Sequence, residues 1–191
     1  MTYNSAHEFK ILMLGELGVG KTSTVQRYVS DSFQESYKPT LGTEVLIKEI
    51  TYKGEKIILQ LWDLAGAPNF KNIRSTFYRN CHGAFLICDL TRPNTLKKLT
   101  EWKNEVSKTI NYDPYYLIIG NKVDLTNNRN VTKKELIETH KQLKTIDWIE
   151  TSAKNGSNIE EAFLKIAETL IEDGMPPGSK TVRSSISFMN K

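Results

Sequence analysis

The chain reads as an α/β protein built on a mostly parallel sheet, and three observations lead there. Short apolar runs alternate with segments whose apolar residues recur at helical spacing, an order that needs crossover connections and hence parallel strands covered on both faces. A glycine-rich octapeptide, Gly15-Glu16-Leu17-Gly18-Val19-Gly20-Lys21-Thr22, separates the first apolar run from the first helical segment. Four polar clusters, beginning at Gly15, Asp63, Asn121 and Thr151, each directly follow an apolar run. In an open parallel sheet the loops at the carboxyl ends of the strands share one rim, so four clusters distant in sequence converge on one ligand.

Each element has its own signal. Residues 9–14 are a continuous apolar run apart from Lys10 and read as a buried strand, and 22–30 can run as a helix. Residues 31–41 are polar and punctuated by Lys38-Pro39, which predicts an extended exposed segment. Residues 45–52 and 56–62 read as strands joined at Lys53-Gly54, a hairpin. A helix is expected over 70–79, a buried strand over 84–88, and one further helix whose buried face is Leu96, Leu99, Trp102, Val106 and Ile110. Residues 115–119 form a strand, 132–144 a helix and 148–149 a short strand. The last helix carries Ile159, Ala162, Phe163, Ile166, Ala167 and Leu170 on one face, with Gly174 just past its end. No internal repeat is visible.

The octapeptide has the chemistry of a phosphate cradle. Glycines let the backbone turn several N–H groups inward, and the N-terminus of the following helix adds the positive end of its dipole. Lys21 supplies a point charge to terminal phosphates, and the Thr22 hydroxyl offers one oxygen to a magnesium ion. Asp63, at the end of a strand beside that loop, is placed to hold the same ion directly or through water. Asp124, three residues after Asn121, offers an acceptor carboxylate that suits a base with adjacent N–H donors, and guanine has such an edge where adenine does not. A site built on that pairing rejects the wrong base by roughly 10⁴ to 10⁵, because the buried carboxylate would lose its partners.

Composition bounds the rest. At 191 residues, 39% apolar and 25% charged, the chain is sized for one domain with a full core. The net charge of +4 owes much to residues 174–191, which hold Lys180, Arg183 and Lys191 and no acid; without them 23 basic residues face 22 acidic ones. Nucleic-acid binding is not indicated. Residues 174–191 begin with Gly174-Met175-Pro176-Pro177-Gly178 and turn Ser-rich, the pattern of a flexible tail, leaving 8–173 as the domain. No run approaches a membrane span, no signal pattern opens the chain, and Cys81 and Cys88 read as reduced, buried thiols. His7, His82 and His140 read as packing or surface residues with no metal spacing.

The motifs at 15–22, 62–66 (Trp-Asp-Leu-Ala-Gly), 121–124 (Asn-Lys-Val-Asp) and 151–154 (Thr-Ser-Ala-Lys) resemble those of the small GTPases, over about residues 8 to 173. Residues 37–42 and 78–84 are similar to the Rab branch, with Ran as runner-up. The resemblance implies a phosphate-loop NTPase of the small G-domain type: six strands, five helices, and a cycle between GTP and GDP forms in vesicle trafficking. It implies nucleotide contacts from Gly15, Gly18, Val19, Gly20, Lys21, Thr22 and Ser23. Asn121 and Asp124 would read the base, Lys122 pack on it, and Ser152, Ala153 and Lys154 close over it. Thr22, Thr40 and Asp63 would hold Mg²⁺. Lys21, Thr40 and the Gly66 N–H would serve the terminal phosphate, the last two within segments that order around it. Effectors, exchange factors and activators would engage residues 31–45 and 64–79 of a monomer.

Three departures stand out. Ala67 occupies the place of the glutamine that orients the attacking water. Leu17 is bulky where the resemblance expects a small residue near the terminal phosphate and an incoming arginine. The last residues, 187–191, contain no cysteine for a prenyl anchor, so the expectation is a cytoplasmic protein brought to membranes by a protein partner, with no direct lipid anchor. Two functions follow: a switch with slow intrinsic hydrolysis, or a nearly hydrolysis-dead binding module whose GTP holds the switch segments in one shape. A third reading, an ATP-using phosphate-loop kinase, is disfavoured by Asp124.

Overall fold

The computed structural model of the chain describes residues 7–34, 40, 42–176, 178 and 179. The sequence readings at 35–39, at 41 and along most of the tail (177 and 180–191) lie outside the described residues. Six strands form one sheet: β1 (His7–Leu14), β2 (Thr43–Tyr52), β3 (Glu55–Leu64), β4 (Gly83–Asp89), β5 (Tyr115–Asn121) and β6 (Asp147–Thr151). Their order is β2-β3-β1-β4-β5-β6, with β2 antiparallel to β3 and every other neighbouring pair parallel. The antiparallel pair is the expected hairpin: Lys53 (φ 49°) and Gly54 (φ 83°) both take positive φ, the requirement of a tight two-residue turn.

The helices are α1 (Lys21–Ser30), α2 (Lys71–Arg74), α3 (Pro93–Lys97), α4 (Leu99–Ser107), α5 (Lys133–Leu143) and α6 (Ile159–Glu172). One face of the sheet is covered by α1 and α6, where Phe163 stacks on Tyr28 at 3.8 Å between ring centroids and meets Phe85 edge-on at 4.8 Å. The other is covered by α3, α4 and α5 through Leu96, Leu99, Trp102, Val106, Leu136 and Leu143. All six residues predicted for the inner face of α6 are buried, and Gly174 beyond it has φ 80°. The helix expected over 132–144 is found at Lys133–Leu143, one residue shorter at each end: Thr132 caps it in a reciprocal box with Glu135, and Lys144 ends it in the left-handed conformation. Cys81 and Cys88 are buried and unbridged, and burial pushes both thiols up to about 12.

Two predicted helices are corrected. Residues 70–79 are not one helix but a 3₁₀ turn at Pro68–Phe70, the single turn α2, and a second 3₁₀ turn at Ser75–Phe77. The reason is local competition: the hydroxyls of Ser75 and Thr76 bond the carbonyls of Asn72 (2.8 Å) and Ile73 (2.6 Å), while Pro68 has no N–H to give. The face running from Leu96 to Ile110 is split at Lys98, where the backbone tightens (φ −72°, ψ −13°), and Ile110 is buried beyond the end of α4. The resemblance implied five helices; among the described residues there are six α-helices, because of that split.

Candidate functional site

The first helix opens without a cap. Gly20 precedes α1 with φ 101°, no side-chain cap is made among the described residues, and no acid lies in the first turn, so a positive helix end faces the rim. Gly20 is required on steric grounds as well, since a Cβ there would stand 2.2 Å from Asn121 Nδ2. Lys21 folds back along the loop, its Nζ donating to the carbonyls of Gly15 (2.8 Å) and Glu16 (3.0 Å). Burial pushes its pKa down to about 8, against the opposing pull of Asp63 and Glu16. Gly66 crosses directly over this amine: a Cβ at Gly66 would lie 2.6 Å from Lys21 Nζ and 2.7 Å from the Gly15 carbonyl oxygen.

Three oxygens meet beside Lys21. The Thr22 hydroxyl donates to Asp63 Oδ2 at 2.5 Å, Thr40 Oγ1 donates to the same atom at 3.2 Å, and the two hydroxyls are 2.8 Å apart. Asp63 is fully buried, its other oxygen has no hydrogen-bond partner among the described residues, and burial raises its pKa despite the two hydroxyls and Lys21. A desolvated carboxylate with a spare lone pair and two hydroxyls is the hard oxygen set that Mg²⁺ prefers, so these residues fit that ion. Among the described residues no cluster of three or more His, Cys, Asp or Glu could hold a metal instead.

At the other end, Asn121 acts as a strut. Its Nδ2 donates to the Val19 carbonyl (2.9 Å), and its Oδ1 accepts from the Ala153 N–H (3.1 Å) and from Thr151 Oγ1 (3.3 Å). Ser152 Oγ donates to Asp124 Oδ1 at 2.5 Å, fixing the carboxylate. Lys122 Nζ lies 2.7 Å from Asp89 Oδ2. Burial works against ionisation of Asp89, yet Lys122 and the bonds from Thr91 hold its pKa below the ordinary range. Arg92 bridges Asp89 at the end of β4 (2.9 Å) to the Leu17 carbonyl (3.1 Å), and since Asp89 also holds Lys122 this ties the 121–124 loop to the 15–22 loop.

These loops enclose one cleft of about 740 Å³. Gly18, Gly20, Lys21, Thr22, Ser23, Thr40, Gly66, Asn121, Lys122, Asp124, Ala153 and Lys154 line it. Gly15, Val19, Asp63 and Ser152 stand behind the wall, where each bonds a lining side chain: Lys21, Asn121, Thr22 and Asp124 in turn. Sequence reasoning missed Phe33, Gln34 and Gln26, which also line the cleft. An aromatic in an otherwise polar stretch was the one available signal for Phe33. Leu17 stands at the mouth, 42% exposed.

A sequence model of the Ras family matches residues 10–172. The chain belongs to the Ras family. It is 34% identical over 165 residues to the human Ras-related protein Rab-12, covering 86% of this chain and 68% of the relative. The mouse Rab-12 is 33% identical over the same shares of both chains. The maize GTP-binding protein YPTM2 is 35% identical over 162 residues, 85% of this chain and 79% of the relative. These relatives assign the chain to the Rab branch, as a divergent small GTPase, and the six-stranded α/β domain is that of the family. Ras-family proteins are guanine-nucleotide-binding switches and GTPases. No helix among the described residues is long and apolar enough to cross a membrane.

Proposed function

We propose that this protein is a guanine-nucleotide switch that binds GTP or GDP with Mg²⁺ and hydrolyses GTP slowly. The observation that carries it is the contrast between an intact binding cleft and a hydrolytic end that lacks its polar side chain. Lys21, tethered by two loop carbonyls, offers a fixed charge to the terminal phosphates, and the uncapped start of α1 offers its N–H groups. The Gly66 backbone passes close over Lys21, and its N–H serves the terminal phosphate. Thr22, Thr40 and Asp63 would hold Mg²⁺, which when bound neutralises charge on the phosphate oxygens. Asp124, steadied by Ser152, reads the guanine edge, with Asn121 bracing the loops and Lys122, Ala153, Lys154 and Phe33 flanking the base.

Hydrolysis needs a water held in line and developing charge stabilised. Ala67 precedes the Pro68 turn with extended backbone (φ −71°, ψ 140°), and its methyl can neither accept from nor donate to a water. Single-turnover hydrolysis tests this: Ala67→Gln should raise the rate at least about tenfold. A wild-type rate already typical of small GTPases, or no gain in the variant, argues against it.

One set of observations favours a second reading, a GTP-held binding module. Two of the three departures, Ala67 and Leu17, fall at the hydrolytic end, while Val45 (42% exposed), Ile47 (40%) and Ile73 (55%) present apolar side chains in or beside the 31–45 and 64–79 segments. Such side chains suit effector, activator or exchange-factor contacts made in the cytoplasm. Chromatography of the nucleotide released from freshly purified protein separates the readings: mostly GTP supports the module, mostly GDP an active hydrolase.

A further inference from the structure

The backbone on either side of Gly66 is held from behind by one buried side chain. Arg74, 5% exposed, directs Nη1 at the Ala67 carbonyl (3.1 Å) and the Ala65 carbonyl (3.4 Å), the two peptide oxygens that bracket Gly66. Its remaining donors pair bidentately with Glu105 of α4, Nε to Oε1 at 2.8 Å and Nη2 to Oε2 at 2.9 Å. Tyr78 donates to the same carboxylate at 2.5 Å, and the guanidinium lies over the Trp102 ring, 4.1 Å from its centroid. The indole N–H of Trp102 in turn donates to Glu16 Oε1 of the phosphate loop at 3.2 Å. Arg74 is therefore joined to the phosphate loop on two sides, through Gly66 in front and through Trp102 and Glu16 beneath.

We propose that Arg74 is the positioning residue for Gly66: seated between Glu105 and Trp102, it holds the 65–67 peptides against Lys21 so that the Gly66 N–H faces a third phosphate. This deepens the function proposed above and rests on its reading of Gly66. The pair is bidentate and mostly desolvated, the form in which an arginine fixes direction as well as charge. Residue 67 has no polar group to fasten this segment to a bound water, so the fastening falls to Arg74. Alignment of 65–67 then matters for a nucleoside triphosphate and much less for a diphosphate, which has nothing for Gly66 to contact.

The test is the ratio of affinities for a non-hydrolysable GTP analogue and for GDP, both with Mg²⁺, in wild type, Arg74→Ala, Arg74→Lys, Glu105→Gln and Gly66→Ala. Arg74→Ala should lower the triphosphate-to-diphosphate preference by about tenfold, Glu105→Gln by about threefold, and Arg74→Lys should fall between wild type and Arg74→Ala, since an amine cannot span both carboxylate oxygens and both carbonyls. A merely structural role would lower the melting temperature and both affinities while leaving the ratio within twofold of wild type, and that result overturns the proposal. Should Arg74→Ala fail to fold, Glu105→Gln decides, because it keeps every heavy atom in place. Gly66→Ala separates the layers: a lost preference there with none lost in the Arg74 and Glu105 variants overturns the positioning role alone, and an unchanged ratio in Gly66→Ala overturns the reading of Gly66 together with it.

Discussion

Asn121→Ala removes the strut that joins three loops. The side chain is 2% exposed and makes three bonds, to the Val19 carbonyl, the Ala153 N–H and the Thr151 hydroxyl. Each is worth about 1 kcal/mol net, and a buried carbonyl or amide left without a partner costs about 1–3 kcal/mol more. The alanine leaves a gap where a small molecule of water could restore part of this, so the expected loss is about 2–4 kcal/mol. Urea denaturation at fixed GDP and Mg²⁺ concentrations reads it, and GDP release should accelerate with it. Asn121→Asp is the sharper control. It keeps the acceptor for Ala153 and Thr151 but turns an oxygen toward the Val19 carbonyl oxygen, so it should be no milder than alanine. A loss below about 0.5 kcal/mol in both variants would refute the strut, because substitutions away from such features fall in that range.

Three further outcomes follow from other parts of the molecule. Arg27 donates to the carbonyls of Ala153 (3.0 Å) and Lys154 (2.6 Å), tying the last turn of α1 to the 151–154 loop; Arg27→Ala should speed GDP release on the order of tenfold in a stopped-flow measurement, and an unchanged rate dismisses the tie. Chelating Mg²⁺ should speed nucleotide release from the wild type by about tenfold or more but from Asp63→Ala by no more than about twofold, since the carboxylate proposed to hold the ion beside Thr22 and Thr40 is gone; equal responses would remove Asp63 from the proposed ligands. Lys10 is buried under Trp62, 3.9 Å from the ring, and burial lowers its pKa from 10.5 to about 8. Between those values the unfolded chain holds a proton the folded chain has released, so stability rises with pH across that window, by at most about 1.4 kcal/mol per unit. Denaturation of wild type and Lys10→Met from neutral to alkaline pH checks the sign: parallel curves contradict it.

The mostly parallel sheet and the rim were legible because strands and loops are local patterns, whereas the strand order was not read from the sequence. The run 9–14 could be nothing but a strand, Gly20-Lys21 marks where the helix dipole begins, and the polar clusters after β1, β3, β5 and β6 fall where a parallel sheet places its ligand. Thr43 and Glu44 precede the apolar alternation that marks the strand, and Glu44 is a poor strand former, yet they pair with Leu64 and Asp63 and carry the hairpin up to the site. That pairing is set by the register of the partner strand, which no window of sequence contains. The 68–77 segment misled for a different reason: Phe70, Ile73 and Phe77 have helical spacing, but serine and threonine hydroxyls divert the carbonyls that a helix would use. Arg74 and Glu105 stand 31 residues apart on elements that meet only in the folded chain, and nothing in either neighbourhood announces the pair.

The central claim is that four loops enclose a guanosine polyphosphate and that Asp124 selects its base. Competition of GDP and ADP, each against a fluorescent guanine nucleotide on the wild-type protein with Mg²⁺, measures this most directly. GDP should win by roughly 10⁴ or more, and Asp124→Ala should shrink that margin by at least about tenfold. Affinities for the two nucleotides within tenfold of each other on the wild-type protein would contradict the account.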